Sequence, residues 1–443
     1  MDQLAAAFGP QAFDVQGVGA WPSRFAVTEL ATRCFGAVGS ALGEVMEATG
    51  LGPRPAVTVD RRLASLWYSW SIHPQGWETP GAWDPIAGDY AAADGWIRLH
   101  TNAPHHRDAA LSVLGCAAER AAVAEALRGW QIDALETAVV GAGGAAAAMR
   151  SRDTWLAHPQ GAAVAAEPLV HWAQRAGALR DFGGTRARPL AGLRMLDLTR
   201  VLAGPMATRT LAGFGAEVLR IDPPSWSEPG VVPDVTLGKT CAHLDLKQAA
   251  DRARFEALLA GADVLVHGYR PGALDAMVSP ARRLELAPNL IEVSLCAYGW
   301  TGPWAGRRGF DSLVQMSCGI AEAGMGWAGA DKPHPLPVQA LDHATGYLMA
   351  ASVLSALARA ARGEGVSSAR LSLARTAELL CSMEKAEDGP AITGSTPDDL
   401  SDWEERTPWG PARRLKPALS VEGAPMRWDS GACELGSSPA AWR

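Results

Sequence analysis

Two stretches of this sequence put reactive or ligand-binding residue types where local structure can use them. Asp342 lies in Leu341-Asp-His-Ala-Thr-Gly346, just before a helical run, Tyr347–Arg362, that closes at Gly363. A carboxylate there is favoured as an anion by the partial positive charge of the helix N-terminus. Aspartate is also among the preferred N-caps, so the local setting alone asks for no more than a cap. The second stretch, Asp197-Leu-Thr-Arg-Val-Leu-Ala-Gly-Pro205, follows a short apolar segment. Open α/β sheets bind ligands at the carboxyl ends of their strands, and a helix N-terminus there receives anions. The stretch is not G-x-G-x-x-G, so the dinucleotide fingerprint is missing, and a tight strand–helix turn with proline near the helix start accounts for it as well. His73, His105, His106, His171 and His334 lack metal-ligand spacing, and no metal is expected. Neither G-x-S-x-G nor a P-loop occurs, so nothing points to a serine hydrolase or an NTPase.

The elements that must position these residues change character along the chain. Residues 1–185 are rich in Ala and Trp, with helical stretches over Val27–Ala48 and Ala109–Ala126. Between them Gly88–His100 reads as a hairpin, with Asp94-Gly95 as its turn and Trp96-Ile-Arg-Leu as a strand. From Gly192 short apolar strands (Leu193–Thr199, Ala216–Ile221, Ala262–Val266, Leu290–Leu295) alternate with helical segments, which predicts βαβ units and a mostly parallel sheet. After about residue 382 the chain is rich in Pro, Gly and Ser and reads as an extended tail over the surface. The expected organisation is an α/β fold: a smaller α+β domain placed N-terminally within 1–185, a Rossmann-like domain over 190–380 with helices on both faces of a mostly parallel sheet, and a 381–443 tail.

At 443 residues, with 48% hydrophobic and 20% charged residues, the chain is long enough for two domains and a sizeable core. A formal charge of −7 and no basic block argue against nucleic-acid binding. Seven scattered cysteines without a C-x-x-C pair suit reduced thiols, and neither a secretory leader nor a membrane span is read. A cytoplasmic protein that binds neither membrane nor nucleic acid is expected.

Gly192–Thr208 followed by Leu211–Pro224 closely resembles the opening of the family III CoA-transferases, the group of formyl-CoA:oxalate and carnitine CoA-transferases and the related 2-methylacyl-CoA racemases. The likeness continues in order through Gly238-Lys239, Leu244–Lys247, Ala262–Leu274, Tyr298–Pro303 and Leu341–Gly346, covering roughly 190–375. The resemblance implies that Asp342 is the nucleophile, attacking an acyl-CoA thioester by way of an aspartyl anhydride and an aspartyl-CoA thioester. It also implies that CoA is held along Val201, Leu202 and Ala203, along Leu244 to Lys247, and by Gly268, Tyr269 and Arg270, with Lys239, Lys247 and Arg270 as phosphate partners. Coenzyme A thioester and a small carboxylic acid would be the substrates, with no permanently bound cofactor. An interlocked homodimer would be the assembly.

Four departures from the family pattern matter. Phe310 stands where the racemases carry a histidine acid/base, and a phenyl ring cannot move a proton, so transferase is favoured over racemase or isomerase. His343 is a poor substitute, because successive residues on a helix point apart. Ala276 stands where the oxalate enzyme has an arginine. The family's small domain normally follows the sheet domain, whereas here Asp84–His106 and Val140–Gln160 resemble it and come first. The glycine-rich loop that closes over the nucleophile in the oxalate enzyme has its nearest match in Gly141–Gly144, which also reads as a simple connecting turn. A non-catalytic CoA-binding subunit is the remaining alternative.

Overall fold

The computed structural model describes residues 2–386 and 389–443. Its centre is a seven-stranded sheet whose strands are, in chain order, β1 (His171–Arg175), β2 (Arg194–Leu198), β3 (Glu217–Asp222), β4 (Thr240–His243), β5 (Val264–His267), β6 (Ile291–Cys296) and β7 (Val366–Ser372). The spatial order is β4-β3-β2-β5-β6-β7-β1. All neighbours run parallel except β1, which closes the edge antiparallel to β7.

The inner strands are buried on both faces, which is why they read as near-continuous apolar runs. Met195, Val218, Val264 and Val266 point to one core, whereas Leu196, Leu198, Leu219 and Leu265 point to the other. On the first face lie four helices that matter for the site: α1 (Val27–Ala48), α2 (Ala203–Gly213), α3 (Asp311–Ser317) and α4 (Ala340–Ala361). Helix α4 packs between α1 and α2 and against the sheet. It is long and apolar enough to cross a membrane by length and composition, but 89% of that apolar stretch is buried inside the fold, so its hydrophobicity serves the core. The opposite face is covered by Ala249–Leu259 and Pro280–Leu286.

The domain organisation differs from the expectation at both ends. Helix α1 shares one core with α4, and β1 is part of the main sheet, so no division of the core falls at 185. The separate module is smaller: strands Gly88–Ala91, Trp96–Leu99 and Ala146–Ala148, with the helices between them around their own apolar cluster. The expected hairpin at Asp94-Gly95 is present, while the stretch expected as one helix over 109–126 is split into Pro104–Leu114 and Arg120–Leu127 around Gly115 in left-handed backbone. Beyond 390 the chain is extended, but it is not a loose tail. Leu400–Thr407 and Gly410–Leu415 form a hairpin that pairs with Ile72–Pro74, and Leu419–Val421 pairs with Val57–Asp60. Such long-range pairing between chain ends leaves no periodicity in sequence, so composition alone reads as tail.

Candidate functional site

Helix α4 begins seven residues before the Tyr347 expected from the sequence, so Asp342 lies inside its first turn and is not the residue that caps it. The capping is done from α3. Oδ2 of Asp311 accepts hydrogen bonds from the backbone N–H groups of Leu341 (2.8 Å) and Asp342 (2.9 Å), while Oδ1 accepts from the Gln315 side chain. This frees the Asp342 side chain from the role that its position suggested. Asp342 is 7% exposed, and its carboxylate bonds to no described residue; it opens into a cavity of about 220 Å³.

That cavity is built from distant parts of the chain. Tyr68, Trp83 and His100 come from the first hundred residues, Val201 and Leu202 from the turn after β2, and Phe310 to Ser312 from the start of α3. Helix α4 reaches the turn closely because residue 346 is glycine: a Cβ there would lie 2.3 Å from the Ala203 carbonyl oxygen. Larger side chains would push the nucleophile candidate away from the turn.

The turn itself is strained. Val201 is the one non-glycine described residue with positive φ (63°), a genuine outlier for a β-branched side chain, and such strain concentrates at functional sites. It is held by buried polar contacts. Val201 N–H donates to Glu228 (2.9 Å), and Asp197 accepts from Thr199 N–H (2.9 Å), Thr208 Oγ1 (2.6 Å) and Lys239 Nζ (2.9 Å). Burial alone would raise the Asp197 carboxyl, but Lys239 and Arg220 reverse this and hold it below its ordinary value.

The electrostatics of the cavity follow from the burial of its titratable groups. Burial pushes the Asp342 carboxyl well above its ordinary range, and the Asp311 carboxyl nearby pushes it further. Asp311 is itself raised to about 6 by burial, against its hydrogen bonds from Asp342 and Leu341 N–H and Gln315. The His100 and His343 rings, buried and beside Arg98 and Arg209 respectively, are each lowered to about 3 and are neutral at neutral pH. Such paired, perturbed groups in a cleft mark a candidate reactive site.

Comparison with known proteins bears on what this site belongs to. The sequence profile described as CoA-transferase family III matches residues 190–408. Residues 190–408 belong to CoA-transferase family III. The chain is 35% identical to the acetyl-coenzyme A transferase nodX of Hypoxylon pulicicidum over 40% of its length and 31% of the relative's. It is 34% identical to the probable fatty acyl-CoA transferase Rv3272 of Mycobacterium tuberculosis over 39% of this chain and 47% of that one. A crystal structure of Rv3272 aligns with 43% of this chain and 57% of its own at 31% identity and a TM-score of 0.38. The matched stretches thus span between about a third and a little over half of these relatives.

The CoA positions implied by the family III resemblance are distributed unevenly. Val201 and Leu202 line the Asp342 cavity, and Ala203 is buried as the first residue of α2. Gly268, Tyr269 and Arg270 follow β5; Tyr269 and Arg270 line a second cavity, of about 300 Å³. Arg200 lies between the two groups, its guanidinium 4.5 Å from the Trp226 ring centre and 5.6 Å from that of Tyr269. Leu244 is instead buried in the core of the opposite sheet face, and Lys247 is exposed. Lys239 is not a phosphate partner: its ammonium is wholly buried against Asp197 and the Pro205 carbonyl oxygen (3.0 Å), where it supports the strained turn. The Gly141–Gly144 segment ends the helix Ile132–Gly141 and leads into Ala146–Ala148, without lining the Asp342 cavity. His343 does line it, with its ring stacked on Tyr68 at 5.4 Å.

His100 and Asp311 line the Asp342 cavity, whereas Arg200, in the turn, and Trp226, against its guanidinium, line neither cavity; none of the four was singled out from the sequence as a site residue. No spacing rule connects residue 100 or 311 with residue 342. Arg200 had a signal, since it stands between Asp197 and Val201 in the turn already singled out.

The raised carboxyl pair has a consequence for stability. Folding raises both values, so the folded chain holds these protons more tightly than the unfolded chain does. The stability tied to them is complete below the ordinary carboxylate value and is lost as pH rises through the folded value, about 6 for Asp311. Asp342→Asn removes one member of the pair. It is expected to make the protein about 1–3 kcal/mol more stable than the parent near pH 8, with the gain vanishing near pH 4. Urea denaturation at the two pH values measures this, and a variant less stable than the parent near pH 8 would contradict it.

Proposed function

We propose that the protein is an acyl-CoA:carboxylate CoA-transferase with Asp342 as its nucleophile. The observation that carries this reading is a buried aspartate whose carboxylate forms no hydrogen bond or ion pair with any described residue and faces a cavity, while its neighbour Asp311 does the structural work of capping the helix. The names of family III relatives, acetyl-coenzyme A transferase among them, support the substrate class.

In the proposed reaction a carboxylate oxygen of Asp342 attacks the carbonyl carbon of the donor thioester. The carbon–sulfur bond breaks, giving an aspartyl mixed anhydride and CoA thiolate. The thiolate attacks the aspartyl carbonyl, releasing the donor acid and leaving an aspartyl-CoA thioester. The acceptor carboxylate attacks that thioester, and the released thiolate then attacks the acceptor's acyl carbonyl, regenerating Asp342. Each difficult acyl transfer is thereby divided into easier steps. The raised pKa fits this role: a desolvated carboxylate is more basic than one in water and so a stronger nucleophile once deprotonated.

CoA would lie along the carboxyl ends of β2 and β5, with Val201, Leu202 and Ala203 near the thioester and Tyr269, Gly268 and Arg270 farther along. Arg270 is exposed and forms no ion pair with any described acidic group, so its charge is available to a phosphate. Arg270→Ala is expected to raise KM for acyl-CoA about 5- to 20-fold with little change in kcat, the pattern of lost uniform binding. An unchanged KM would remove Arg270 from the CoA site. The family also suggests a homodimer, and sedimentation at the mass of one chain would count against it.

The activity is tested by incubating the protein with acetyl-, propionyl- or succinyl-CoA and isotopically labelled small carboxylic acids. Appearance of labelled acyl-CoA supports transfer. Absence of labelled product with every pair, while α-deuterium washes into the acyl group, would favour the isomerase alternative.

A further inference from the structure

We propose that His100 is a further catalytic residue of this site, its ring N–H donating a hydrogen bond to the thioester carbonyl oxygen as Asp342 attacks. The proposal rests on the reading of Asp342 as nucleophile. Attack on a thioester drives negative charge onto the carbonyl oxygen, so the site must place a donor beside it. The Gly141–Gly144 segment, nearest to the family's glycine loop, does not line the cavity. The donor has to come from elsewhere.

His100 follows the strand Trp96–Leu99 and is 5% exposed. Its backbone is fixed by a 2.9 Å bond from its N–H to the Ala145 carbonyl oxygen. Its ring lies flat on Phe310, with centroids 3.7 Å apart and planes 9° apart, and Trp83 meets it edge-on at 5.7 Å. Phe310 precedes Asp311, whose carboxylate holds the Asp342 amide, so the imidazole is tied through two short contacts to the helix turn that carries the nucleophile. Neither ring nitrogen bonds to a described residue; Nδ1 is fully buried, so Nε2 is the ring nitrogen that a ligand in the cavity could reach. A polar group beside the cavity without a protein partner is costly, and a ligand would supply the partner.

Other polar side chains line the cavity, Gln339 and His343 among them, and His343 Nδ1 is likewise buried without a partner. The Asn102 amide already donates to the Ala82 carbonyl oxygen at 2.8 Å. Ser312 Oγ is buried and unpartnered, but a hydroxyl rotates freely, whereas the His100 ring is fixed by its stacking partner. The imidazole is neutral, because burial and the neighbouring His106 and Arg98 charges disfavour its cation. A neutral donor suits the task, since a cation in the same cavity would pair with the Asp342 carboxylate and quench it. The ring also covers the face of Phe310, just before Asp311.

The test is the rate of Asp342 acylation in a single turnover with acetyl-, propionyl- or succinyl-CoA, read as hydroxylamine-trapped adduct, together with CoA affinity. His100→Phe keeps an aromatic ring on Phe310 and removes the donor. It is expected to slow acylation about 10²- to 10³-fold while CoA affinity stays within about threefold. His100→Gln, which retains an N–H, is expected to recover at least about tenfold of that loss, a rescue that a merely structural role would not give. Acylation of His100→Phe at the parent rate, or of His100→Gln no faster than His100→Phe, overturns the role of His100 alone. No adduct on the unsubstituted protein with any donor overturns the nucleophile reading, and the role of His100 with it.

Discussion

Asp342→Asn is expected to lower kcat for CoA transfer by about 10⁴-fold or more, since loss of a covalent nucleophile removes the pathway as well as a contact. Asparagine has nearly the same shape, so it leaves no cavity, and the amide cannot form the anhydride. The variant should also be more stable than the parent above neutral pH, because the coupled, desolvated carboxyl pair is gone. Loss of activity with a gain in stability separates a chemical role from a structural one, and sites that store electrostatic strain commonly show this trade. Asp342→Glu keeps the carboxylate but moves it by one methylene in a cavity bounded by α2 and α3. It is expected to lose about 10²-fold, the scale associated with a misplacement of about 1 Å. An Asp342→Asn protein that transfers CoA within about tenfold of the parent would show that the nucleophile lies elsewhere.

The second large effect is structural. Asp234 is 1% exposed and sits between two buried arginines, accepting from Arg209 on α2 and from Arg414 on the C-terminal hairpin, each at 2.9 Å. It also accepts from Ser71 N–H (3.0 Å) and Ile72 N–H (3.2 Å). One carboxylate thus joins the N-terminal region, the helix that carries the strained turn, and the end of the chain. Asp234→Ala would leave two guanidinium groups facing each other in the interior, with Glu405 able to balance only Arg414. Removing one partner of a buried ion network costs about 3–5 kcal/mol, mostly the penalty of the charge left behind. Equilibrium denaturation should show a loss of that size. A change below about 1 kcal/mol would mean that the three segments are held together by their apolar contacts instead.

Some of this was legible in the sequence and some was not, for physical reasons. The parallel strands were readable because burial on both faces makes each a short apolar run, and Val27–Ala48 because its periodicity is local. Asp342 was readable through the ordered family III motifs, but its setting was misjudged. Apolar periodicity located the helix from Tyr347 onward, whereas the first turn is stabilised by Asp311, a residue 31 positions earlier that local pattern cannot connect to it. Lys239 was misread for the same reason: an isolated lysine after Gly238 looks solvated, and only the fold brings it against Asp197. The pairing of Gly410–Leu415 with Ile72–Pro74 and the packing of His100 on Phe310 both join residues hundreds of positions apart. Neither contact leaves a trace in spacing.

The central claim is that Asp342 becomes covalently modified during turnover. The most direct measurement is to incubate the protein with an acyl-CoA that it transfers, quench with hydroxylamine or borohydride, and map the product by peptide mass spectrometry. A hydroxamate or reduced side chain at Asp342, absent when free CoA replaces the thioester, is the predicted result. Ongoing CoA transfer with Asp342 unmodified, or with the adduct on another residue, would contradict the account.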